Sequence, residues 1–191
     1  MSASAADSDA GLAQRALGGD DDAFAQLMSR HKHWALRFIR RYVGNAEDAY
    51  DVLQDTFFSA WLALTSYQRE RPFESWLRMI ALNKCRDRAR RDRIRRVLFG
   101  NFEAAQAMPE PPDGAAGPEA LAAARQEFSQ LEQAVASLPR SLKEPLLLTT
   151  LEGLTHQQAG ELLGLNAKAI EMRVYRARAR LNLLMPARSS G

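Results

Sequence analysis

Thirteen residues from Lys84 to Arg96 read KCRDRARRDRIRR. They hold eight basic side chains against two acids, Asp87 and Asp92, for a local charge of +6. Such density repels itself in isolation and becomes favourable against a polyanion, where neutralised phosphates release condensed counterions. A solvated helix face is the bland alternative. The predominance of arginine, with its planar fork of donors, points to phosphate contact instead. Tyr67, Phe73 and Trp76 flank the loop Gln68-Arg69-Glu70-Arg71-Pro72 just upstream. Aromatic faces beside arginines can stack on unpaired bases. Core packing is the expected role of Phe73 and Trp76, with Tyr67 open to either.

A second cluster has the opposite sign. Glu47, Asp48, Asp51 and Asp55 recur at helical spacing beside Gln54, and residues 42–64 contain no lysine or arginine. An acidic face repels DNA and suits a basic protein partner. A metal site is the competing reading, but carboxylates on one helix diverge, and no histidine or second acidic group completes a ligand set. His31 and His33 point apart on a helix, and His156 lies in a capping segment. The single cysteine, Cys85, forms neither an internal disulfide nor a zinc site, and it suits a reducing cytoplasm. No phosphate loop or nucleophile signature is present, so an enzyme is not expected, and neither is a metal or cofactor.

A third cluster lies near the C-terminus. Thr155 and Gln158 form a capping box for a short helix that Gly164 closes. Asn166 caps a last helix expected to run to about Leu184. Its buried stripe is Ile170, Val174, Ala177 and Leu181; Lys168, Glu171, Met172, Tyr175 and Arg176 face outward with Arg173, Arg178 and Arg180 at the flanks. This is a helix-turn-helix pattern with reach into a major groove.

The elements that position these clusters are all helical. A first helix is expected from Asp20-Asp21-Asp22, carrying Phe24, Leu27, Met28, His31, Ala35 and Phe38 inward and ending at Gly44-Asn45. A second starts at Ala46 with Ala49, Val52, Leu53, Phe57, Ala60 and Leu64 inward. A third runs from Phe73 to Arg96, with Trp76, Leu77, Ile80 and Ala81 inward. The stretch NFEAAQAMPEPPDGAAGPE, residues 101–119, holds four of the eight prolines and no basic residue, and reads as a linker. Helices are expected beyond it at Leu121–Val135 and Ser141–Glu152. The N-terminal MSASAADSDAG lacks a signal-peptide pattern and reads as a disordered acidic lead-in. No apolar run is long enough to cross a bilayer. The expectation is an all-α protein of two small helical domains on a flexible linker, the second containing the helix-turn-helix.

Ala46–Trp61, AEDAYDVLQDTFFSAW, resembles the polymerase-binding helix of extracytoplasmic-function sigma factors of RNA polymerase. Phe73–Arg96 is similar to the promoter-reading helix that follows it in that family, and Leu138–Leu181 to the family's C-terminal promoter-binding domain. The resemblance implies an N-terminal tail over 1–9, a region 2 domain over 10–99, a linker over 100–119, a region 4 domain over 120–186 and a tail over 187–191. It implies docking on core RNA polymerase through Asp48, Asp51, Gln54 and Asp55. Contacts to the −10 element would come from Tyr67, Arg69, Arg71, Trp76, Asn83, Lys84, Arg86, Arg88, Arg90 and Arg91, with a flipped base held near the 67–72 loop and Asn83. Contacts to the −35 element would come from Thr155, Asn166, Lys168, Glu171, Met172, Arg173, Tyr175 and Arg176. The acidic linker would thread toward the RNA exit path. An anti-sigma factor is the further expected partner, with no membrane insertion and a cytoplasmic location. The last helix departs from the family's Thr-Val-Lys-Ser-Arg-like run: here it reads Ala169-Ile170-Glu171-Met172-Arg173. A free-standing helix-turn-helix regulator is the alternative, though it leaves the acidic helix without a role.

Overall fold

The computed structural model describes residues 8–99 and 118–185, and within them eight α-helices and no strand. The chain divides into two compact units, residues 1–39 with 47–103, and 40–46 with 104–191. Most of the linker expected over 100–119 lies outside the described residues.

The first unit begins with a helix the sequence reading missed. α1 (Asp9–Leu17) starts where a disordered lead-in was expected; Ser8 caps it by accepting from the Gly11 amide at 3.1 Å. Its buried stripe is short and mostly alanine: Leu12, Ala13 and Ala16. That weak pattern hides it from periodicity alone. Asp9 ties α1 to the next helix, accepting from Arg30 at 3.0 Å and lying 2.8 Å from His31 Nε2. α2 (Asp21–Val43) opens on Asp20, whose carboxylate accepts from the Ala23 amide at 3.1 Å. It buries Phe24, Leu27, His31, Ala35 and Phe38 as expected, while Met28 is exposed.

α3 (Ala46–Leu62) buries the expected Ala49, Val52, Leu53, Phe57 and Ala60, and also Thr56, whose hydroxyl donates to the Val52 carbonyl at 2.7 Å. That bond lets a polar side chain enter the core without an orphaned donor. A 3-10 turn at Leu64–Ser66 leads into the loop before α4 (Phe73–Phe99). α4 is two helices in one by chemistry. Phe73, Leu77, Ala81, Leu82 and Cys85 are buried, and each large apolar side chain so placed is worth roughly 1.5–3 kcal/mol. Trp76 and Ile80, expected inward, are only half-buried. Beyond Cys85 the helix turns basic, and Ile94, Val97 and Leu98 are exposed.

The second unit holds α5 (Pro118–Ser137), α6 (Arg140–Thr150), α7 (His156–Leu163) and α8 (Ala167–Leu184). α5 starts on Pro118, two residues inside the expected linker; proline's fixed φ and missing N–H suit a first helical position. Leu147, Leu148, Ala159, Ile170, Val174 and Ala177 form the core between α6, α7 and α8. The capping box is present in both directions: Thr155 Oγ1 accepts from the Gln158 amide at 3.2 Å, and Gln158 Oε1 accepts from the Thr155 amide at 2.9 Å. Gly164 ends α7 at φ 67°, a left-handed conformation that glycine adopts without a Cβ penalty. Asn166 caps α8, accepting from the Ala169 amide at 2.8 Å. The turn is tight: the Leu165 amide donates to the Gly160 carbonyl at 2.8 Å, and a Cβ on Gly160 would meet the Leu165 carbonyl oxygen at 2.4 Å.

Candidate nucleic-acid interface

Three surfaces matter, two on the first unit and one on the second. On α3 the buried stripe turns Asp51, Gln54 and Asp55 to solvent on one face, with Phe58 and Leu62 continuing it toward the C-terminal end. Asp48 departs from the expectation of an open acidic face. It is largely covered and pairs with Arg88 of α4, which Asp92 also holds at 3.2 Å. Burial opposes the charge on Arg88, but Asp48 and Asp92 outweigh it and raise the guanidinium's pKa above the ordinary arginine value. Both residues were expected at interfaces, Asp48 for a protein partner and Arg88 for DNA. The structure instead joins them into a brace between α3 and α4. Breaking such a pair leaves a half-buried Arg88 with Asp92 as its remaining carboxylate, so the pair helps hold the two helices in register.

Four other arginines of α4 carry looser partners. Arg86 donates to Asn83 Oδ1 at 3.0 Å, Arg90 meets Asp87 at 3.2 Å, Arg91 meets Asp55 at 3.8 Å and Arg95 meets Asp92 at 3.2 Å. Exposed pairs of this kind are worth about 0–1 kcal/mol and exchange readily for phosphate. Lys84 is half-buried and Arg69 and Arg71 are exposed on the loop. Sequence reasoning missed Arg78, which is buried, bonded to Glu74 and placed over the Trp34 ring at 5.1 Å.

The aromatic loop closes on itself. Tyr67 donates its hydroxyl to the Arg71 carbonyl at 2.9 Å, and its ring packs on Phe73 at 5.3 Å and Trp76 at 5.5 Å between centroids. Burial, and then the charge of Asp9, push the phenol's pKa up. Tyr67 is 8% exposed, which decides the question left open by the sequence: its ring is part of the aromatic cluster and not a free stacking platform. Asn83 is exposed two turns beyond Trp76, on the same face of α4.

On the second unit, α8 presents Lys168, Glu171, Met172 and Tyr175 at i, i+3, i+4 and i+7, all exposed, with Arg176 beside them and Arg173 half-buried. Lys168 Nζ pairs with Glu171 Oε2 at 2.9 Å. A groove of about 520 Å³ runs beside this strip, lined by Thr155 and His156 on one side and Glu171, Tyr175 and Arg178 on the other. Thr155 and Asn166, both expected to touch DNA, have their side-chain oxygens engaged as helix caps. Leu181, expected in the buried stripe, is half-buried.

Residues 27–95 match the family model for sigma-70 region 2, and residues 128–181 match that for sigma-70, region 4. The chain is 38% identical over 179 residues to the RNA polymerase sigma factor NccH of Alcaligenes xylosoxydans xylosoxydans, covering 93% of this chain and 94% of the relative. It is likewise 38% identical over 190 residues to the RNA polymerase sigma factor CnrH of Cupriavidus metallidurans, covering 96% and 97%. The chain belongs to the extracytoplasmic-function sigma factors of RNA polymerase. Its structure also resembles that of CnrH in complex with the cytosolic domain of CnrY, with a TM-score of 0.67, 33% identity, and 95% and 99% of the two chains covered.

The family models place the acidic and arginine-rich surfaces of this sigma factor in region 2 and the outward strip of α8 in region 4. It is a transcription initiation factor, and its partners are core RNA polymerase and promoter DNA. Among the described residues, no helix is long and apolar enough to cross a membrane.

Proposed function

We propose that this sigma factor docks on core polymerase through Asp51, Gln54 and Asp55, opens the −10 element beside the 67–72 loop and Asn83, and reads the −35 element with α8. The observation that carries this reading is the segregation of charge. α3 offers carboxylates to a protein, while the far end of α4 and the outward face of α8 offer cations to DNA. Arg69, Arg71, Lys84, Arg86, Arg90 and Arg91 grip phosphates around the opened strand. Capturing an unstacked base offsets the few kcal/mol that its extrusion costs. Tyr67 and Trp76 support this site as the packed wall behind the loop. Arg88 and Asp48 leave the list of direct contacts and act as the brace.

The chain carries no chemistry of its own; bond formation belongs to the core enzyme, in the cytoplasm. A further partner is an anti-sigma protein, by analogy with the CnrY domain bound to CnrH.

A run-off assay with purified core polymerase tests the proposal. Promoter-specific transcripts are expected on adding the chain. Their absence, together with tight duplex binding by the chain alone, would make it a free-standing regulator. Asp51→Lys with Asp55→Lys is expected to weaken core binding by on the order of 100-fold while leaving the helical signal intact, since both side chains are exposed. Unchanged capture of core in a pull-down refutes the docking assignment.

A further inference from the structure

We infer that Lys168 and Glu171 act as one unit that reads a single C·G base pair of the −35 element, a specificity that rests on the assignment of α8 to the major groove. The two side chains lie a turn apart on the exposed face of α8's first half, and their tips meet at 2.9 Å. The lysine is 73% exposed and the glutamate 50%, so both reach beyond the helix surface with Asn166 holding its start.

The chemistry of the pair is complementary and fixed in sign. The hydrogen bond from Lys168, then its charge, hold the Glu171 carboxyl below the usual glutamate range, with the nearby His156 adding to the same effect. An ionised carboxylate only accepts, and an ammonium only donates. The carboxylate therefore needs a base amino group, and the ammonium needs a ring nitrogen or carbonyl beside it. In the major groove a C·G pair presents cytosine N4–H₂ next to guanine O6, with guanine N7 one step further. N4 and O6 are themselves hydrogen-bonded, so they stand about 2.9 Å apart, the same separation as the two side-chain tips.

An A·T pair offers the carboxylate an amino group at adenine N6, but N7 and O4 lie on opposite sides of it. The ammonium then reaches one acceptor, and on the O4 side the thymine methyl crowds it. Over guanine it reaches N7 and O6 together. The pair thus favours C·G. Lys168 also supplies what Glu171 lacks, because an isolated carboxylate so close to the duplex would repel phosphates. Met172 and Tyr175, exposed one turn further along the strip, have apolar surface to offer a neighbouring thymine methyl.

The test is a −35 element randomised in an otherwise fixed promoter, transcribed by core polymerase carrying the full chain, with the transcribed templates sequenced. The wild-type chain is expected to enrich C·G at one position by roughly tenfold over A·T. Glu171→Gln is expected to move the preference at that position to adenine, which a glutamine amide contacts bidentately. Normal transcription by E171Q from its own adenine-bearing templates shows that the variant folds and that only its reading has changed. Identical preferences for wild type and E171Q, or no C·G enrichment at any position, overturns the proposal. If the chain initiates on no template in the library, the sigma-factor assignment of α8 fails first and takes this proposal with it.

Discussion

The basic ends of α4 and α8 look alike in sequence and differ in structure. Along α4, Arg88, Arg90, Arg91 and Arg95 all face carboxylates from their own helix or from α3. Along α8, Arg173, Arg176, Arg178 and Arg180 make no ion pair among the described residues, and the one acid on the outward face, Glu171, belongs to Lys168. The first helix uses part of its charge to fasten itself to α3. The second keeps its arginines open for a ligand. A run of arginines is thus not one kind of feature: what it does depends on which acids the fold brings to it.

Removing one member of the α3–α4 brace is the harshest test of this distinction. Asp48→Ala leaves Arg88, 19% exposed, with only Asp92 to balance it. The expected loss is about 3 kcal/mol in urea unfolding, at the lower end for a broken buried pair because some solvent reaches it. A loss under 0.5 kcal/mol would reduce the brace to an ordinary surface contact and place Asp48 back among the docking residues.

Gly160 tests the other side of the comparison, where α8 is held by a turn instead of an ion pair. A Cβ at 2.4 Å from the Leu165 carbonyl oxygen has backbone and not a flexible side chain in its way. Gly160→Ala is expected to destabilise the second unit by about 2 kcal/mol, the usual scale for strain at a close approach, and to weaken promoter binding through a displaced α8. Thermal unfolding followed by circular dichroism gives the answer, and a variant as stable as the parent would mean that the turn opens without cost.

Most of this architecture was legible in the sequence, because its signals are local. The Thr155–Gln158 box, Gly164 and Asn166 fix the start and stop of α7 and the start of α8 within a few residues, and the structure shows each cap in place. The stripe on α3 is likewise a matter of spacing along one helix. What escaped was long-range or weakly patterned. α1 buries a single large apolar residue, Leu12, beside two alanines, so its apolar face barely registers. The Asp48–Arg88 brace joins residues 40 positions apart, and nothing near either one announces it. Tyr67 looked equally suited to solvent or core until its hydroxyl found the Arg71 carbonyl. Gly160 reads as a poor helix residue and becomes intelligible only once Leu165 folds back over it.

The smallest effect separates the two arginine runs directly. Each phosphate neutralised by a cation contributes about 0.9 to the slope of log affinity against log salt on duplex DNA. Arg176 is exposed on α8 with no ion pair among the described residues, so its charge is available to displace counterions. Arg176→Ala, in holoenzyme on a promoter duplex, is expected to lower that slope by about one, and so to weaken binding only a few-fold at moderate salt. Arg88 already has Asp48 and Asp92 within its reach, and a phosphate would have to displace them from a half-buried site. Arg88→Ala should therefore leave the salt slope unchanged, even though it costs stability, and measurement well below the unfolding transition keeps the two effects apart. Equal slope changes for both variants would show that the brace opens on DNA, and that α4 holds its arginines in reserve and not in structure.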